Sequence, residues 1–203
     1  MTALFLKGLA FGFVLAATVG PMWMLCFRRT IAAGALAGFV SGMGIAVADG
    51  IYGAIAAFGL TAVSGFLLAQ HFWLGLAGGA FLVYLGIRAL LANPAAAGDA
   101  TPANRGLLRA FASTLGLTLA NPPTILAFAA IFAGLGLGAN ASYAAAALVV
   151  LGVFLGSASW WVILALGAAR LRARLGSGLL RGLNLVSGLV ILAFALWQLA
   201  QLV

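Results

Sequence analysis

Among 203 residues only two side chains are acidic, and one of them, Asp49, stands in the apolar stretch "GMGIAVADGIYG", Gly42–Gly53. A carboxyl in such surroundings can carry a proton or stand opposite a cation. Ionised Asp at the centre of a membrane helix costs about 2.5–3.5 kcal/mol on the insertion scale, so Asp49 belongs on a face turned toward other helices. Helical spacing puts Gly42, Ile45, Tyr52, Gly53 and Ala56 on that face. The Tyr52 hydroxyl is expected to donate to the carboxylate. No Lys or Arg lies near mid-segment to hold the charge permanently, which makes proton uptake and release a sensible role.

The other candidate chemistry belongs to the backbone. A proline inside a helix removes one N–H and clashes with the carbonyl four residues back. Pro21 thereby frees the carbonyl of Ala17, and Pro122 and Pro123 free those of Thr118 and Leu119. In lipid such groups must find partners or line a cavity. Gly20-Pro21, with Thr18 beside it, suits a packing kink as well as a pathway element. The stretch "TLANPPTIL" is more specific, because Asn is a preferred N-cap and Pro is favoured at the first helical position. Asn121-Pro122 therefore reads as a helix restarting inside the membrane, its free N–H groups and positive dipole end facing the break. That end suits a substrate carboxylate, and Thr118 and Thr124 offer hydroxyls close by.

Other chemistries find little support. Cys26 is single, which excludes an intramolecular disulfide, and it reads as core filler. His71 reads as a residue of a connection, and no second His, Cys or Glu stands near it to complete a ligand set. Neither a metal site nor a cofactor is expected. Hydrolysis or group transfer needs paired acid and base groups, an activated nucleophile or a metal. The apolar segments offer hydroxyls, Asn121, Asn184 and one Asp, so an intramembrane enzyme is disfavoured.

The elements that carry these residues follow from composition. The chain is 66% hydrophobic and 6% charged, against about 25% charged in soluble domains, and its apolar runs match the roughly 20 residues of a spanning helix. This is the composition of an all-α integral membrane protein. Six segments are expected to span, approximately Ala3–Phe27, Ala35–Leu60, Phe66–Ala92, Leu107–Ala133, Asn140–Gly167 and Gly182–Leu202. They form a single transmembrane domain, 1–203, divided by the Pro-, Gly- and Asn-rich loop Asn93–Gly106. The net charge of +8 does not point to nucleic acid, because the basic residues sit in short clusters between apolar runs. Arg28 and Arg29 follow the first span, Arg88, Arg105 and Arg109 flank the third connection, and Arg170, Arg172, Arg174 and Arg181 fill the fifth. The positive-inside rule puts these connections in the cytoplasm and both termini outside, with Lys7 as the one exception. A cleaved signal peptide carries its charge before the apolar core; here two Arg follow it.

The halves resemble each other. Gly20-Pro21 matches Asn121-Pro122; Gly44, Tyr52 and Gly59 share their spacing with Gly152, Trp160 and Gly167; Gly79 matches Gly188. Three spans per half invert the second relative to the first. Repeat one covers about 1–92 and repeat two about 107–203, an arrangement common in secondary transporters. The counterpart of Asp49 is then Ser157. Gly34, Gly38 and Gly42, and likewise Gly152 and Gly156, make smooth faces for close packing.

The order and spacing of these segments resemble the lysine-exporter (LysE/RhtB-type) family. "GFVLAATVGPMWMLCFRRTIAAGALAGFVSGMGIAVADGIYGAIAAFGL" is similar to the family's first two spans, "GGAFLVYLGIRALL" to its third, "LANPPTILAFAAIF" to its fourth and "GVFLGSASWWVILALG" to its fifth. The resemblance implies a six-helix exporter of amino acids or similar metabolites in a bacterial inner membrane, driven by an ion gradient. Asp49 falls on the family's internal Asp. Val19 replaces the first proline of its Pro-Gly-Pro motif, and Pro123 stands where Lys is frequent, so the resemblance does not extend to lysine as substrate. The expected pathway comprises Thr18, Gly20, Pro21, Asp49, Tyr52, Thr118, Asn121, Pro122, Thr124 and Ser157. The expected partners are a small-molecule substrate, an amino acid foremost, and the bilayer, with a homo-oligomer left open. An uncoupled channel, showing steady flux indifferent to pH or Na⁺, and an accessory subunit are the alternatives.

Overall fold

A computed structural model describes residues 1–58, 66, 69–91, 103–121, 124, 127–128, 142–172 and 177–202. The helices among them are α1 (Thr2–Ala17), α2 (Pro21–Ala33), α3 (Ala35–Ala57), α4 (His71–Leu90), α5 (Ala103–Leu119), α6 (Tyr143–Arg172) and α7 (Ser177–Ala200), and the described residues include no strand. Four helical stretches are long and apolar enough to cross a membrane: Ala35–Ala57, Phe72–Leu90, Tyr143–Leu171 and Leu180–Ala200. The pair α1 and α2 passes the same test as one broken span. The continuation of the expected fourth span past Asn121, the second connection and the loop 93–102 lie largely outside the described residues.

The first break is more than a kink. α1 and α2 meet at 74°. Thr18 (ψ 122°) and Gly20 (φ −161°, ψ −171°) are extended, and Pro21 opens α2. Proline disfavours the helical conformation in the residue before it, so the chain leaves α1 and starts a new helix. A second reversal, between α2 and α3, uses Gly34 at φ 93°, a value side chains rarely adopt.

Several basic residues assigned to connections lie on helices instead. Arg28 and Arg29 belong to α2, Arg105 to α5, Arg170 and Arg172 to the end of α6, and Arg181 to α7, whereas Arg88 in the last turn of α4 and Arg109 in α5 lie within the expected spans. His71 likewise opens α4. Arginine is a good helix former, so the helices run on past the apolar windows that suggested their ends.

The bundle packs through glycine. α1 lies along α6, where Gly8 and Gly12 rest on the backbone of Val149 and Val153, and Gly152 and Gly156 rest on that of Phe5, Leu9 and Phe13. α3 touches α5 and α6: Gly42 faces Trp161, and Gly44 faces Phe111 and Thr114. Gly79 meets Leu199, Gly86 meets Leu192 and Gly188 meets Leu90. Numbers rise along α4 as they fall along α7, so the two helices are antiparallel. Association in lipid draws on such van der Waals contact and on buried hydrogen bonds. Arg29 supplies several of the latter, its Nη1 donating to Ser41 Oγ (3.2 Å) and Ala110 O (2.9 Å) and its Nη2 to Ser113 Oγ (2.7 Å), so it joins α2, α3 and α5.

Candidate functional site

A cavity of about 220 Å³ opens where the first break, α3, the end of α5, α6 and α7 converge. The break contributes Thr18, Gly20 and Pro21, and α3 contributes Asp49 with Ile45 above it in sequence. Thr118 at the end of α5, with Asn121 and Thr124 just beyond it, completes the polar lining, and Trp161 and Phe194 close the apolar wall. Seven of the ten expected pathway residues thus line one space although they come from distant parts of the chain.

Asp49 is 2% exposed. Ser157 Oγ donates to its Oδ2 at 2.7 Å, and among the described residues the carboxylate has no other hydrogen bond and no ion pair. Ser157 is itself fully buried and stands behind Asp49 rather than in the cavity wall.

Tyr52 does not serve Asp49. Its hydroxyl donates to the carbonyl of Leu119 at 2.5 Å. The sequence supplies the reason: Pro123 has no N–H with which to reach Leu119, and Tyr52 takes the place of that donor. Tyr52 is therefore a buttress of the second break, outside the cavity lining. The variant Tyr52→Phe leaves this carbonyl unpaired, and stability is expected to fall by about 1–3 kcal/mol. Thermal unfolding in detergent checks this; an unchanged melting temperature contradicts the assignment.

At the second break the side chain of Asn121 does not act as an N-cap acceptor. Its Nδ2 donates to Thr124 Oγ1 at 2.9 Å, and the backbone N–H of Thr124 goes to the main-chain carbonyl of Asn121 at 3.1 Å. Capping needs an amide donor two or three residues on, and that donor is already spent on the turn. The N–H of Asn121 donates to the Thr118 carbonyl at 3.1 Å, satisfying a group that Pro122 leaves free. Pro122 and Pro123 lie outside the described residues; after them Thr124, Ala127 and Phe128 are helical, as a restarted helix requires, and the rest of that segment is outside the described residues.

Two polar atoms at the cavity have no hydrogen-bond partner among the described residues although both are buried, Thr118 Oγ1 and Asn121 Oδ1. Thr18 is otherwise engaged, its Oγ1 donating to Val14 O at 3.1 Å. Gly20 caps α2 without a side-chain hydrogen bond, so the N–H groups of the first turn of α2 lack intrahelical partners. Met22 and Trp23, which belong to that turn, face the cavity. The site combines a carboxylate, two vacant oxygens and the positive end of a helix.

The LysE type translocator family matches residues 13–201, a stretch that contains every residue of this site. The chain belongs to that family. Over 202 residues it is 30% identical to the "Putative amino acid efflux protein YcgF" of Bacillus subtilis (strain 168), covering 96% of this chain and 94% of that protein. No solved structure matches. The chain is thus a multi-pass membrane transporter, and its described helices have the apolar lengths this requires.

The three aromatic cavity residues of this LysE type translocator escaped the sequence reading. Trp161 follows Ser157 by four residues on α6 and so shares its face; that spacing was available as a signal. The equivalence of Trp160 with Tyr52 drew attention to the neighbouring ring instead, and Trp160 packs edge-on to Phe13 with centroids 5.4 Å apart. Trp23 and Phe194 carried no such signal, since their placement depends on the 74° bend and on how α7 crosses α2.

Proposed function

We propose that this translocator exports amino acids or closely related zwitterions from the cytoplasm across the bacterial inner membrane, in exchange for protons. The observation that carries the reading is the composition of the cavity between the first break and Asn121. Asp49, Thr118 Oγ1 and Asn121 Oδ1 are acceptors for an α-ammonium. The first turn of α2 is a donor site for an α-carboxylate. The volume of about 220 Å³ leaves room for a small solute rather than one water. The printed name of the Bacillus subtilis relative, an amino acid efflux protein, points to the same substrate class.

Coupling follows from charge. A lone carboxylate in an apolar interior needs neutralising. A proton or a substrate ammonium can neutralise Asp49, and not both at once. Alternate occupancy makes the carrier an exchanger of one for the other.

The proposed architecture has six spans in two inverted repeats with both termini outside, and pairs of matching contacts support it. Gly79 meets Leu199 and Gly188 meets Leu90; residues 79 and 90 of the first half stand at one constant offset from 188 and 199 of the second, so each contact is the image of the other. Gly44 rests on Phe111 and Leu115, and Gly152 on Phe5 and Leu9. Asp49 and Ser157 are separated by 108 residues and touch each other, which is what equivalent positions on a two-fold axis do. The breaks fit less well. Phe5 and Phe111 differ by 106 residues, Pro21 and Pro122 by 101, so one break is five residues, about 7.5 Å of helix, nearer its start. Rocking between the halves would expose the cavity to each side in turn.

Ligand-induced stabilisation tests the substrate class, since a ligand that binds only the folded state raises the melting temperature. Zwitterionic amino acids are expected to stabilise the purified protein, and their decarboxylated and deaminated counterparts are not. Equal stabilisation by a deaminated acid would remove Asp49 from recognition.

A further inference from the structure

A second cleft, of about 600 Å³, lies between α4 and α5 at the end of the bundle that carries the arginines. Arg29, Arg88 and Arg109 line it, with Ser113 between them. Arg28 is within electrostatic reach of Arg29 and Arg88, and its Nη1 is buried without a hydrogen-bond partner among the described residues. Among the described residues none of these guanidinium groups pairs with a carboxylate. Asp49, the one acidic side chain among the described residues, is in the other cavity and bonded to Ser157.

The cleft is organised rather than merely basic. The guanidinium of Arg29 is fixed by Ser41, Ser113 and the Ala110 carbonyl. That of Arg88 stands 5.8 Å above the Tyr84 ring, and Tyr84 stacks on Phe81 with centroids 5.9 Å apart. Both rings are exposed, which in a spanning helix means they meet lipid or its interface. The cleft therefore has a cationic floor and an aromatic, lipid-facing wall. Guanidinium forks match the oxygens of phosphate, aromatic rings favour the headgroup level, and basic pockets between spanning helices on the cytoplasmic side suit anionic headgroups.

We infer that the arginine-lined cleft between α4 and α5 binds the phosphate headgroup of an anionic phospholipid from the adjoining leaflet. The site is separate from the translocation cavity and does not depend on what that cavity carries. Native mass spectrometry of the delipidated full chain tests it, with phosphatidylglycerol, phosphatidylcholine and inorganic phosphate as probes. Phosphatidylglycerol is expected to bind at least tenfold more tightly than phosphatidylcholine, and millimolar phosphate is expected not to displace it. Arg88 and Arg109 extend to the surface, so the double variant R88Q/R109Q should fold. It is expected to lose about 30-fold in affinity for phosphatidylglycerol, the cost of two near-surface cations. Arg170→Gln, at an exposed position outside the cleft, is expected to change nothing. Indifference to the headgroup, equal loss in R170Q, or displacement by free phosphate overturns the proposal. The headgroup preference of the unaltered protein keeps the test decisive if the double variant is unstable.

Discussion

Export by the Asp49→Asn protein is expected to fall to background while the protein still folds. Asn has the shape of Asp and can still accept the hydrogen bond that Ser157 donates, so the junction of α3 and α6 keeps its packing. What disappears is the charge. Removing one partner of a buried, hydrogen-bonded charge pair costs about 2–5 kcal/mol, or roughly 30- to 5,000-fold in substrate affinity. The titratable site for the exchanged proton is lost at the same time, because an amide neither binds nor releases one near neutral pH. Initial efflux rates from loaded vesicles and ligand-induced stabilisation read the two losses separately. Wild-type rates in Asp49→Asn would remove the carboxylate from the mechanism.

The second large effect concerns the scaffold. Gly12→Val is expected to abolish the native α1–α6 seam. A Cβ at Gly12 would collide with the backbone carbonyl of Val153, and a backbone, unlike a side-chain tip, has no rotamer with which to yield. Overpacking a core typically costs about 1–3 kcal/mol; here two helices must separate and give up the contact that holds them together in lipid. The expected cost is at the top of that range or above it, seen as loss of monodisperse protein and a lower melting temperature. The matched control is Gly167→Ala. Nothing lies within 4 Å of a Cβ there, and the better helix former should leave stability unchanged or raise it by up to about 1 kcal/mol. If the two variants melt alike, the seam does not set stability.

Much of the site could be read before any coordinates, wherever a covalent fact forced the outcome. Asp49 had to leave the lipid face because of its charge, and it is buried. Pro123 had to orphan the Leu119 carbonyl, and that carbonyl is met by a side chain. The spacing of the halves made Ser157 the counterpart of Asp49 without indicating that the two touch, as they do. What could not be read was the partner in each case. Tyr52 was matched to its neighbour three residues away, yet its acceptor is 67 residues distant, because local spacing says which face a group occupies and nothing about what packs on that face. The glycine stripes had the same ambiguity: Gly152 and Gly156 announced a close approach without naming α1 as the helix that makes it. The first break was legible as Gly20-Pro21, but its 74° angle, which turns Trp23 toward the cavity, depends on the extended conformation of Thr18 and Gly20.

In the proposed cycle the cavity around Asp49 exchanges an amino acid for a proton. The most direct test of that exchange is efflux of a labelled amino-acid panel from proteoliposomes, with and without a proton gradient directed inward. At least one zwitterionic amino acid is expected to leave against its own concentration gradient only while the proton gradient is maintained, with internal acidification in step. Efflux that merely dissipates the substrate gradient and ignores pH would contradict it and leave an uncoupled channel.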